Sequence, residues 1–245
     1  MHGLTMVLWR NKQAVTTGAG APRPGAAEKR RQAVGIDLGA SCLKSIVVAV
    51  RQGSPAVLAC HRLQVREEGI LNDADLYSSL AAWLQQTGCA GLEATVGLPQ
   101  YLATTQVSDF AQGASDTALE DMVAFETRQL AGLSEESFVH DFHVLSPGGG
   151  RRNPVLIGIC RESVIRERMA ALQAVGIRAP HLAMSGLAAA NSFLALHPEA
   201  LAEKLPQLVV DIGRDNSTVV VLAGGQTLFV GSLLFGADKF ARAAM

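Results

Sequence analysis

Cysteine, aromatic residues and long apolar runs are all scarce in this chain. Four cysteines (Cys42, Cys60, Cys89, Cys160) lie far apart and none forms a CxxC pair, which excludes a disulfide scaffold and fits a reducing compartment. Uninterrupted apolar runs such as residues 46–50 are strand-sized, well short of the roughly 18–20 residues that cross a bilayer, so no membrane span is expected. Residues 6–9 lead into polar, Pro/Gly-rich sequence rather than an apolar core, which argues against a signal peptide. Net charge is nearly absent as well: 21 basic against 22 acidic residues leave −1, no field to draw the whole chain to nucleic acid. No GxxxxGK[ST], HExxH or GxSxG occurs, which removes P-loop, zincin and α/β-hydrolase chemistry.

What is present is 245 residues, 49% hydrophobic and 18% charged, enough to bury one large core or two small ones. Residues 1–32 carry six basic side chains against one acid and are rich in Pro, Gly and Ala, so they are expected to form a flexible basic leader. Folded sequence begins at Ala33. Three β-rich runs (33–37, 44–50, 56–64), an amphipathic helix from 72 or 73 to about 86, and a buried strand at 94–98 predict the order βββαβ for residues 33–100. Residues 101–160 read as a small inserted α+β unit: a strand at 101–107, a helix from the capping box Thr117-Ala-Leu-Glu120 to about 130, and strands at 138–145 and 155–160. Helices at about 163–174 and 184–196 make 161–206 a connecting segment.

At Gln207 the opening cadence returns. Strands at 208–211, 218–222 and 227–230 repeat the first meander, and Val34-Gly-Ile-Asp-Leu-Gly39 is echoed by Val209-Val-Asp-Ile-Gly213. Two meanders opened by the same Asp-x-Gly turn predict duplicated, facing subdomains, the second starting at 207 and running to 245, where the sequence stops inside an expected helix. A carboxylate at a strand end beside a glycine turn brings backbone amides and an acid together, a combination suited to phosphate oxygens and a hydrated Mg²⁺. Ser41 adds a hydroxyl and Lys44, seven residues past Asp37, a point charge; Asn216, Ser217 and Thr218 supply donors from the opposite side. Cys42, inside the first turn, reads as a small packed residue rather than a nucleophile. His140 and His143 have odd spacing on a strand and so face opposite ways, which argues against a metal pair.

Gly35-Ile-Asp-Leu-Gly-Ala-Ser-Cys-Leu-Lys44 and Asp211-Ile-Gly-Arg-Asp-Asn-Ser-Thr218 resemble the two phosphate loops of the actin, Hsp70 and sugar-kinase superfamily. Within it the chain is most similar to the PilM family, FtsA-like cytoplasmic proteins of type IV pilus assembly. Leu119-Glu-Asp-Met-Val-Ala-Phe-Glu126, Phe138-Val-His-Asp-Phe-His-Val-Leu145 and Gly224-Gly-Gln-Thr-Leu-Phe-Val-Gly-Ser-Leu-Leu-Phe-Gly236 carry that similarity, which runs from about Ala33 to Met245.

The resemblance implies an α/β, actin-like (ribonuclease-H-like) fold of duplicated subdomains with a small inserted α+β subdomain and an incomplete second half. It also implies a scaffold peripheral to the inner membrane, at most a weak ATPase, holding ATP or ADP with Mg between its halves. That scaffold would grip the cytoplasmic N-terminus of a bitopic PilN-like protein near residues 94–107 and the 117–131 helix. Cofactor candidates carried over are Asp37, Gly39, Ala40, Ser41, Cys42 and Lys44 on one side, and Asp211, Gly213, Asn216, Ser217, Thr218 and Gly236 on the other, with Asp37 and Asp211 addressing Mg through water. The superfamily's adenosine-binding Gly-Gly loop is expected beyond Gly236 and is not in the sequence. Self-association stays open; a small-molecule kinase, an FtsA-like membrane filament and a nucleotide-free pseudo-ATPase adaptor are the alternatives.

Overall fold

Hydrophobic alternation in the opening meander builds the main sheet. The computed structural model describes residues 5–6, 32–39, 41–51, 54–64, 73–110, 116–132, 135–147, 150–179, 181–203 and 205–244. The expected leader therefore lies outside the described residues, apart from Gln32 and the two-residue strand β1 (Thr5–Met6). β2 (Gln32–Leu38), β3 (Cys42–Arg51) and β4 (Ser54–Gln64) form the antiparallel meander; β5 (Ala94–Leu98) joins β2 in parallel. β9 (His181–Met184) extends the sheet beyond β5, and β1 pairs with β9, giving the order β1-β9-β5-β2-β3-β4. The β9 strand was not expected from the sequence.

The two faces of this sheet have opposite characters, because strand side chains alternate. Val34 and Ile36 of β2, Leu43 and Val47 of β3, Val96 and Leu98 of β5 and Leu182 of β9 are buried in one core. Helices α1 (Asp73–Gln86) and α3 (Glu162–Ala174) contribute Leu76, Leu80, Leu84, Ile165 and Leu172 to that core. At ~25 cal/mol per Å² of apolar surface removed from water, burying each such side chain is worth roughly 1.5–3 kcal/mol. The alternate residues, Gly35, Asp37, Lys44, Ile46, Thr95, Gly97 and Ala183, face a cavity.

The inserted unit is a three-stranded antiparallel sheet, β6 (Ala103–Asp109), β8 (Pro154–Arg161) and β7 (Phe138–Val144) in that order, with α2 (Asp116–Ala131) packed on it. Central β8 is buried along nearly its whole length: Leu156 and Cys160 enter the main core, and Val155, Ile157 and Ile159 form a second cluster with Val123. The strand expected at 101–107 starts later, because Gln100–Leu102 close a short 3-10 turn after Pro99. The Thr117 side chain and Asn72 lie outside the described residues, so neither expected cap is described.

Helix α4 (Ser185–Leu196) leads to the second meander, β10 (Gln207–Ile212), β11 (Ser217–Ala223) and β12 (Gln226–Leu233), followed by α5 (Ala237–Ala243). α4 packs on this sheet through Leu187, Ala190 and Leu194 against Val220, Leu222 and Val230. The edges of the inserted and second sheets meet where the Thr105 hydroxyl donates to the Val230 carbonyl at 2.8 Å.

Candidate functional site

The two Asp-x-Gly turns are built alike. Gly39 N–H donates to the Cys42 carbonyl at 3.1 Å, and Gly213 N–H to the Asn216 carbonyl at 3.0 Å. A Cβ on either glycine would sit 3.0 Å from Cys42 O or 2.7 Å from Asn216 O, so the close turn requires glycine in both places. Each aspartate then faces the residue seven positions later across its hairpin: Asp37 faces Lys44, and Asp211 faces Thr218. The duplication read from sequence is thus repeated in register and in turn geometry.

Asp37, Lys44 and Asp211 line a single cavity of about 610 Å³, floored by the main sheet and flanked by Ser185, Ala188 and Ser192 of α4. Bare Gly35 and Gly97 keep that floor low; a Cβ on Gly97 would come within 3.6 Å of Asp37 Oδ1. Lys44 Nζ donates to Asp37 Oδ2 at 3.1 Å, both side chains about half exposed. This hydrogen bond is the largest influence on the ammonium and holds its pKa above the ordinary lysine value; partial burial opposes it, and the charges of Asp37 and Asp211 add to it. Lys44 therefore stays charged and senses both carboxylates.

The remaining candidates do not line the cavity. Gly39 and Gly213 spend their amides inside their own turns, so these two N–H groups do not point outward as expected. Ser217 is buried and donates to the Phe235 carbonyl at 2.6 Å, which turns its hydroxyl inward rather than toward a ligand. Ser41 Oγ lies 3.8 Å from the Cys42 sulfur, and Cys42 is itself core. Thr218 directs its methyl toward Gly186, where an added Cβ would lie 2.9 Å from it. Asn216 closes the second turn through its carbonyl. Gly236 lies under the 214–215 backbone, where a Cβ would collide with the Arg214 carbonyl oxygen. Ala40 lies outside the described residues.

The family model for the type IV pilus assembly protein PilM matches residues 35–245. The chain belongs to the PilM family. Its fold is actin-like, as expected. It superimposes on a solved structure described as the PilM-PilN type IV pilus biogenesis complex with a TM-score of 0.73 at 20% identity, covering 87% of this chain and 65% of that one. It is also similar to the cytoplasmic domain of EpsL, an inner-membrane component of the type II secretion system of Vibrio cholerae, with a TM-score of 0.53 at 15% identity, over 87% of this chain and 75% of that one. The chain thus spans just under two-thirds of the PilM chain it matches.

For a PilM-family cavity, the donors fit a magnesium polyphosphate in kind: two carboxylates, an ammonium and the serines of α4. Among the described residues no three His, Cys, Asp or Glu side chains converge on one point, so a cation here would be held through its water shell rather than by a protein cage. No described helix is long and apolar enough to cross a membrane. A second concavity of about 320 Å³ lies between the 3-10 turn and α3, lined by Tyr101, Leu102, Val164, Glu167, Arg168 and Ala171. Sequence reasoning missed one charged wall of the main cavity, Arg62 of β4. No sequence signal marks it, because only the register shift between β3 and β4 places Arg62 opposite Lys44.

Proposed function

We propose that this chain is the actin-like, nucleotide-binding scaffold of a type IV pilus or related secretion or competence machine, acting on the cytoplasmic side of the inner membrane. The reading rests on one observation: Asp37 and Lys44 from the first meander and Asp211 from the second line the same cavity. Two carboxylates and a cation on opposed elements suit a polyphosphate with its hydrated Mg²⁺. When bound, that ion would supply charge neutralisation between the phosphates and Asp37 and Asp211, while Lys44 would hold a phosphate oxygen as a point charge.

The second half of the proposal is a protein partner, the cytoplasmic N-terminal peptide of a bitopic PilN-like protein. Support comes from membership of the PilM family and from the likeness to a PilM solved together with PilN. The groove between the 3-10 turn and α3, at the junction of the first and inserted subdomains, offers Tyr101, Leu102, Val164 and Ala171 as an apolar floor and Glu167 and Arg168 as a charged rim. Titration calorimetry with Mg-ATP, alone and after addition of a PilN-like N-terminal peptide, tests both halves. Micromolar binding of each is expected. Absence of nucleotide binding with peptide binding intact would leave a pseudo-ATPase adaptor; absence of both would overturn the reading.

A further inference from the structure

The β3–β4 hairpin is not a regular ladder. Outward from its turn, Arg51 faces Ser54 and Val48 faces Val57, but the next pair is Val47 with Ala59, so Leu58 is an extra residue on β4. A bulge of this kind sends every later side chain to the other face of the sheet. In an unbulged hairpin Lys44 would face His61, and Arg62 would stand opposite Leu43, on the side packed against α1. With the bulge, Arg62 faces Lys44 and completes a row Asp37, Lys44, Arg62 across three strands on the cavity side. His61, the next residue back, borders the cavity too but stacks its ring on Trp83 of α1, with centroids 5.2 Å apart and planes 15° from parallel.

We propose that Arg62 is a second cationic contact for the phosphate chain of the ligand in this cavity; the inference rests on the nucleotide reading given above. Lys44 is already engaged by Asp37. Arg62 makes no ion pair among the described residues, and its Nη2 has a 3.5 Å contact with Gln64 Oε1. Gln64 faces Cys42, so the guanidinium leans toward the end of the sheet that carries the first Asp-x-Gly turn. The charge balance of the wall points the same way. Asp37 and Asp211 outweigh Lys44 and would repel an anion; Arg62 restores neutrality, and a hydrated divalent cation then makes the site net positive. A guanidinium presents paired N–H donors that match two phosphate oxygens, which a lysine point charge does not. The bulge is therefore the device that aims the arginine into the site.

The test is titration calorimetry of the full chain with Mg-ATP and with magnesium tripolyphosphate, which carries no nucleoside, comparing the wild type with Arg62→Ala and Arg62→Lys. Arg62→Ala is expected to weaken both ligands about tenfold or more, the loss expected for a charge-assisted phosphate contact, with Arg62→Lys recovering part of it and melting temperatures unchanged. Should Arg62→Ala melt early, Arg62→Gln, which keeps the stem as far as Cδ and a polar end while removing the charge, is read instead. Binding of both ligands by the alanine variant within twofold of wild type overturns the role of Arg62 while leaving the nucleotide site standing. A wild type that takes neither ligand removes the nucleotide reading, and the arginine's role with it.

Discussion

Lys44 donates to Asp37 across the first hairpin at 3.1 Å, whereas the matching place opposite Asp211 is held by Thr218, which carries no charge. The two halves of the cavity are alike in backbone and unlike in electrostatics. Asp211 makes no ion pair among the described residues, so its carboxylate is the one open to a hydrated cation. Asp211→Asn is expected to abolish most of the difference in ATP affinity between Mg²⁺ and EDTA. Lys44→Ala is expected to weaken binding about tenfold or more in both buffers, as loss of a charge-assisted hydrogen bond does. Calorimetry in the two buffers separates these outcomes; equal Mg²⁺ dependence in Asp211→Asn and wild type would contradict the assignment.

Gly186, in the first turn of α4, is a contact point between the helix and the second sheet. A Cβ there would lie 2.5 Å from Val230 Cγ1 and 2.9 Å from Gln100 Oε1 and from Thr218 Cγ2. Gly186→Ala must push α4 off β11 and β12, at a cost of about 1–3 kcal/mol. For a chain of this size each kcal/mol lowers the melting temperature by about 2–4 °C. A melt monitored by circular dichroism reads the shift, and an unchanged midpoint would show that the packing relaxes freely.

The bond from Thr105 to the Val230 carbonyl spans 125 residues of sequence and joins two separate sheets. Thr105→Val keeps the shape and removes the donor, leaving a partly buried carbonyl unpaired, worth about 1 kcal/mol. Faster amide exchange in β6 and β12, with α1 and β2 unaffected, is the expected result.

His143 of β7 responds to acid. Burial pushes its pKa below the ordinary histidine value, with nearby Asp141 acting in the opposite direction. The unfolded chain therefore binds a proton that the folded site resists. Stability falls as pH drops through the ordinary range near ~6.5 toward the lower folded value, and is unaffected by this group above it. His143→Gln should flatten that limb of the denaturation midpoint against pH; an unchanged slope would assign the acid sensitivity elsewhere.

Much of this architecture is legible in the amino-acid order because it is local. The three strands of each meander announce themselves through β-branched runs and turn residues, and the helices at 73–86, 116–131, 162–174 and 185–196 through apolar periodicity and helix boundaries. β9 escaped because four residues, His-Leu-Ala-Met, carry no period long enough to read, and its pairing with β5 depends on a chain segment some eighty residues away. The site divides in the same way. Asp37, Lys44 and Asp211 stand out because the turn that carries the aspartates is written twice. Arg62 does not, because counting back from the hairpin turn pairs Lys44 with His61, and only the inserted Leu58 changes the partner. The inward rotation of Ser217 was equally hidden, since its acceptor is the carbonyl of Phe235, at the far end of the meander.

Strand β10 forms one edge of its sheet and contains neither lysine nor proline, the residues that usually discourage a stranger from adding on. Leu208, Val210 and Ile212 share the side turned away from α4, with Leu208 65% and Ile212 54% exposed. Purified at high concentration, this polypeptide will be adhesive through that margin. Light scattering across a dilution series belongs ahead of any affinity measurement, and a charged replacement at Val210 is the natural solubilising modification, since it leaves the cavity-facing side of the strand, with Asp211, untouched.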